Sequence, residues 1–334
     1  MNDDNFGAAS IDSTSMPYKD RSAGLVIFGI LTILMGCLAA LMVPLMMLGQ
    51  AASAKAGNAP MPTSALVPAE SIYGVLAVAL VWLGIGSTMA RRWARALLLI
   101  FSWSWLIVGL LGTIFMAFLM PHTLANMPSG GANGHHLPPG AIQAVMVVMF
   151  VVFGVIFVIL PALWTFFYAS RHVKATCEAR DPVTRWTDAC PLSVLAVCLW
   201  LVFSVPMMLL MPIVGYGVMP FFGFFLTGMP ATILCLVLAV IWGYAARLLY
   251  KLDPLGWWLI LIAMCLLSVS SFLTFSRHDM TEMYGLMHYS SAQLDQIQKT
   301  GLLTGNHMLW IMAVSMLPFL GYLLFIKRYF RAQA

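Results

Sequence analysis

The sequence predicts an all-α, polytopic membrane protein of about eight spans, and three observations lead there. The chain is 61% hydrophobic but only 9% charged, whereas a soluble domain carries about 25% charged residues. Charge is absent from residues 96–170 and again from 189–246, each stretch long enough for two spans of about 20 apolar residues. A charge at the bilayer centre costs roughly 2.5–3.5 kcal/mol on insertion scales, so such gaps carry information. Third, Lys and Arg gather at alternate span ends, the usual mark of orientation.

The spans are read at 23–48, 71–90, 96–120, 141–170, 191–211, 228–249, 254–275 and 308–326. Each is apolar all round, as helices in lipid are. With the N-terminus inside, the inner side receives Lys19, Arg21, Arg91, Arg92, Arg95, Arg171, Lys174, Arg180, Arg185, Arg247, Lys251, Lys327, Arg328 and Arg331; the outer side receives Lys55, Arg277 and Lys299. Dropping any one span would invert those after it and spoil this fourteen-to-three division. Both termini are therefore expected in the cytoplasm. The composition resembles that of multi-span bacterial inner-membrane proteins, which sets the expected location.

Residues 1–22 are polar, lack the basic start of a cleavable signal, and read as a disordered cytoplasmic tail. The rest divides into a four-helix unit at 23–175, a cytoplasmic linker at 176–190 and a second four-helix unit at 191–334. The halves look alike. Val43-Pro44-Leu45 closes the first span and Val205-Pro206-Met207 the fifth. Leu160-Pro161 in the fourth span is followed by Arg171 and Lys174 at ten and thirteen residues beyond the proline; Leu317-Pro318 in the eighth is followed by Arg328 and Arg331 at the same distances. Trp82 and Trp242 hold similar places. Four spans per half make this a parallel 4+4 internal repeat, and the paired prolines predict kinks at equivalent depths.

The outer segments 49–70 and 121–140 read as irregular from their Ala, Gly, Ser and Pro content, and 276–307 as two short amphipathic interfacial helices. The connection 212–225 is too apolar for an ordinary loop and reads as a tight, interfacial or partly re-entrant turn. The six cysteines avoid the predicted outer loops and form no CxxC pair, so neither a disulfide framework nor a metal knuckle is expected.

Chemistry is sparse. The sequence has no HExxH, no G-x-S-x-G and no paired intramembrane aspartates, and the predicted function is non-enzymatic. The basic residues sit at span ends rather than in one patch, which argues against nucleic acid. His278, Asp279 and Glu282 lie close together, as acid–base groups or as the solvated first turn of a helix, where carboxylates are favoured. Six of seven histidines fall on the outer side. Thioether and imidazole suit copper, so His278, Met280, Met283, Met287 and His288 form a candidate copper site. With 25 methionines in the chain, they equally fit the apolar side of an interfacial helix. The mild polar residues Ser102, Ser104, Ser268 and Ser271 could line a path for a neutral solute. Alternatively, these hydroxyls bond back to their own helices, as do Ser270 and Thr274. The leading expectation is a scaffold, accessory or lipid-interacting component. Its expected partners are the bilayer, anionic lipid head groups at the inner face, and another membrane protein.

Overall fold

The structure, a computed structural model, describes residues 18–55, 63–125, 139–214, 217–287, 289, 294 and 306–330. It is almost wholly helical. Helices α1 (Ser22–Lys55), α2 (Thr63–Thr88) and α3 (Arg92–Ala125) are followed by α4 (Pro139–Gly154), which runs through a π-helical turn (Val155–Ile159) into α5 (Leu160–Ala169). A short α6 (Arg171–Arg180) and a 3₁₀ turn (Trp186–Asp188) lead to α7 (Leu192–Val214). A two-stranded hairpin, β1 (Met219–Phe221) and β2 (Phe224–Leu226), precedes α8 (Met229–Tyr250) and α9 (Pro254–Phe275). Then come α10 (Met280–Leu286), α11 (Asn306–Ile326) and a closing 3₁₀ turn (Lys327–Tyr329).

Among the described residues, seven helices are long and apolar enough to cross a membrane: Ser22–Ala52, Ala69–Thr88, Arg92–Ala117, Met146–Ala169, Leu192–Ile213, Met229–Tyr250 and Pro254–Phe275. They suggest an integral membrane protein. They also expose Leu, Val, Ile and Phe over much of their length, Phe166 at 78% and Val78 at 71%, which is the surface lipid requires. α11 occupies the place of the eighth predicted span.

Two segments read as loops are partly helical. α1 continues to Lys55 and α2 begins at Thr63. The Ala-rich run Gln50–Lys55 explains the first extension, since Ala is the best helix former. α3 likewise continues to Ala125, and α4 starts at Pro139. The tail up to residue 17, and the second expected helix of 276–307 apart from Leu294, lie outside the described residues.

Packing is sequential in both halves: α1 on α2, α2 on α3 and α3 on α5, then α7 on α8, α8 on α9 and α9 on α11. α7 also touches α2 and α3, with Ile100, Cys190 and Leu195 buried where the halves meet. In the first half, Phe28, Leu98, Trp164 and Tyr168 fill a core. Their polar atoms are matched. The buried Ser87 Oγ lies 2.7 Å from the Tyr168 hydroxyl and 3.0 Å from the Leu25 carbonyl, and Trp164 Nε1 donates to Thr32 Oγ1 at 3.1 Å. In the second half, Trp242, Trp257, Ile260 and Leu323 fill the core, and Trp257 Nε1 donates to the Leu323 carbonyl at 2.8 Å.

Span four shows how the sequence bends a helix. Pro161 has no N–H, so the α-helical bond to the Phe157 carbonyl four residues back cannot form. The chain takes a π-turn just before it, in which the Leu160 N–H bonds the Val155 carbonyl. α3 approaches here through Gly109, where any Cβ would collide with the Phe157 carbonyl oxygen. Pro44, Pro206, Pro212 and Pro318 lie within continuous α-helices.

Candidate functional site: a latched aromatic hairpin

The most unusual element is the hairpin between α7 and α8, Met219-Pro220-Phe221-Phe222-Gly223-Phe224-Phe225-Leu226. Met219 pairs with Leu226, Pro220 with Phe225 and Phe221 with Phe224. This leaves Phe222-Gly223 as a two-residue turn with φ of 42° and 100°. Positive φ at both positions is the hairpin geometry whose twist matches the strands. Glycine adopts it freely. A bulky residue does not, and a left-handed non-glycine costs on the order of 1–3 kcal/mol, retained only where the surroundings impose it.

The surroundings that impose it come from α9 and the turn that follows it. Ser270 Oγ accepts the Phe222 N–H at 2.9 Å and donates toward the Pro220 carbonyl at 3.3 Å. Thr274 Oγ1 accepts the Gly223 N–H at 3.0 Å and donates to the Ser270 carbonyl at 2.9 Å. His278 Nε2 lies 3.1 Å from the Gly223 carbonyl, and its Nδ1 lies 2.8 Å from the Glu282 carboxylate on α10. Each hydroxyl stands one helical turn from the next, so α9 offers a single line of partners. Ser270 lies five residues before the end of α9, about 8 Å at 1.5 Å per residue. The turn therefore sits beside the last stretch of that helix rather than beyond it. Backbone polar groups at such depth need partners within the protein, and Ser270, Thr274 and His278 supply them.

The aromatic rings are arranged around this latch. Phe221 packs edge-on against Phe222 and Phe224, and Phe225 packs against Phe275 and the His278 ring. Phe222 and Phe224 remain 42% and 48% exposed. The Arg277 guanidinium lies against Gly223 so closely that a Cβ there would meet Nη1 at 2.8 Å.

The residues singled out in the sequence fall as follows. Of the copper set, His278 is taken up by Glu282 and Gly223. Met280, Met283 and Met287 are partly buried at or just after α10, and His288 lies outside the described residues. Among the described residues no three His, Cys, Asp or Glu groups gather as metal ligands would. Of the path set, Ser102 is fully buried and donates to the Leu99 carbonyl at 3.1 Å, and Ser268 donates to the Met264 carbonyl at 2.7 Å. Ser104 accepts from Trp200 Nε1 at 3.0 Å across the α3–α7 contact, and Ser271 is partly buried. The neighbours Ser270 and Thr274 hold the hairpin instead. An i, i+4 hydroxyl pair facing a Phe-rich run around one glycine is the signal that could have pointed to them.

A second polar centre lies at the opposite end of the bundle, around α6. The segment 176–190, read as a linker, is folded and begins inside that helix. Asp181 is 3% exposed and takes Arg185 at 3.1 Å, Arg91 at 3.7 Å and the Arg92 N–H at 3.4 Å. Burial alone would push its carboxyl up; the hydrogen bonds from Arg185 and Arg92, with the charges of Arg185 and Arg91, hold it below the ordinary 3.8. Arg92 also reaches Glu178 at 3.5 Å and Asp188 at 3.6 Å, Lys174 reaches Glu178 at 3.8 Å, and Arg180 reaches Asp20 at 3.7 Å. Nearby Cys177 and Cys190 are buried, and burial pushes both thiols up to about 11, which keeps them unreactive thiols at neutral pH.

The chain matches no family model, no curated protein and no solved structure. The class supported by fold and site is that of an α-helical integral membrane protein.

Proposed function

We propose that the chain is a multi-pass protein of a bacterial inner membrane, built from eight spans as a parallel 4+4 repeat with both termini cytoplasmic, and that it serves as a non-enzymatic scaffold or accessory component. The fourteen-to-three division of basic residues supports the orientation. The same order of helix contacts in each half, with α11 in the eighth position, supports the count and the repeat. The observation that carries the functional reading is the latched hairpin. A strained Phe-Gly turn is held in place by three side chains, while Phe222 and Phe224 stay exposed. Rigid aromatic rings at low entropic cost are what protein contacts favour. The partner is another membrane protein meeting the hairpin end.

Photocrosslinking from position 222 or 224 in native membranes tests this. The expected result is one discrete protein adduct that disappears in Thr274→Val. Adducts to lipid alone would overturn the reading.

A neutral-solute permease is the second reading. The π-turn beside Pro161 favours it, since π-turns within helices are frequent at functional sites. Uptake of the solute by proteoliposomes would support it. A copper-handling role is third. It would require His278 to leave Glu282 and Gly223, so bound copper should loosen the hairpin.

A further inference from the structure

The two halves treat their basic residues differently at the end that carries most of them. In the first half and α6, Arg91, Arg92, Lys174, Arg180 and Arg185 meet carboxylates within 4.0 Å, whereas Lys19, Arg21, Arg95 and Arg171 do not among the described residues. In the second half, Arg247, Lys251, Lys327 and Arg328 have no carboxylate within that distance among the described residues. Of the acidic residues after position 191, only Asp253 belongs to this end, and its side chain caps α9 by accepting the Leu255 N–H at 2.9 Å.

Lys327 is the best placed of the four cations. Its ammonium lies 4.7 Å from the centre of the Trp257 ring and 5.2 Å from that of Trp258. Trp257 is buried and anchored to Leu323, whereas Trp258 is 50% exposed on the face that lipid would cover. Cation–π contact holds the ammonium in position without using its N–H donors on an anion. Arg328 lies beside it, over Phe325 at 4.1 Å, and donates to the Tyr329 hydroxyl at 3.0 Å. The result is a fixed positive charge with free donors at the rim of an apolar surface, beside an indole suited to the headgroup boundary.

We infer that Lys327, set against Trp257 and Trp258, binds the phosphate of an anionic phospholipid whose chains lie along the exposed face of α9 and α11. Arg328 adds charge, and Trp258 packs against the glycerol region. This rests on the proposed membrane reading and names the lipid site within it.

Reconstitution into nanodiscs of equal phosphatidylglycerol and phosphatidylcholine, followed by native mass spectrometry of retained lipid, tests it. The wild type should retain phosphatidylglycerol preferentially. Lys327→Gln should lower that preference about fivefold, the effect of one lysine at a charged surface. Lys327→Arg should preserve it, which guards against a folding defect, and Lys174→Gln should leave it unchanged. Added inorganic phosphate should not displace the lipid. Equal retention of both lipids by the wild type, no effect of Lys327→Gln, an equal effect of Lys174→Gln, or displacement by phosphate would each overturn the inference. Retention of neither lipid would overturn the membrane reading beneath it as well.

Discussion

Gly109 of α3 lies directly against the carbonyl of Phe157, the oxygen whose α-helical donor Pro161 removes. A helix break in one span and the absence of a side chain in another thus meet at one point. Gly109→Ala would put a methyl where the oxygen stands and force α3 from the π-turn. Overpacking of this kind costs about 1–3 kcal/mol. Thermal unfolding in detergent should show a clear loss, while Gly112→Ala, where the nearest atoms are 3.8 Å away on the Phe153 ring, should be mild.

The hairpin latch separates two kinds of hydroxyl on one helix. Thr274→Val keeps the shape but leaves the Gly223 N–H without its acceptor, a cost of about 1–3 kcal/mol for a buried group. Ser268→Ala removes only a bond within α9 and should be near neutral. Hydrogen exchange should show faster exchange at Phe222 and Gly223 in the first variant and unchanged exchange in the second.

Relief of the turn is a separate test. Phe222→Gly removes the left-handed strain while keeping the N–H that Ser270 accepts. The hairpin should be as stable or more so, because the strain relieved, about 1–3 kcal/mol, outweighs the added chain entropy of glycine, about 0.5–1 kcal/mol, yet crosslinking to the partner from position 224 should fall because an exposed ring is gone. A hairpin that unfolds in this variant would mean the Phe222 ring, not the latch, holds the turn.

Asp181 carries the pH dependence of the α6 end. Its folded carboxyl sits below the ordinary 3.8, so its pairing contributes fully above about pH 4 and is lost as pH falls through the folded value. Wild-type stability should therefore fall on acidification below about pH 4, and Asp181→Asn should flatten that part of the curve. At pH 7 the same variant should be markedly less stable, because Arg91 and Arg185 lose their buried counter-charge.

The helices were legible because long apolar runs admit few other structures, and the Pro, Phe and Met content of 212–225 marked that connection as no ordinary loop. Two features were not. The fold of 176–190 depends on Asp181 finding Arg91, Arg92 and Arg185, of which only Arg185 is near in sequence. The hydroxyls of span seven were visible as a polar strip, but periodicity cannot say whether Ser270 and Thr274 face a solute, a neighbouring helix or a strand. Only the positions of Phe222 and Gly223 decide that. For His278 the sequence offered both methionines and the nearby Asp279 and Glu282; the structure pairs it with Glu282 and with the Gly223 carbonyl, which only the fold could supply.

The proposed topology puts the latched hairpin and the Asp181 centre on opposite sides of one membrane, with both termini on the Asp181 side. Single cysteines replacing Tyr18, Glu178, Arg328 and Asp279, the last exposed just beyond α9 on the hairpin side, can be introduced in a cysteine-free background and labelled in intact spheroplasts with a membrane-impermeant maleimide. Labelling is expected at position 279 alone, with positions 18, 178 and 328 reacting only after the membrane is opened. Labelling of 279 together with 178, or of 328 without 18, would refute the topology.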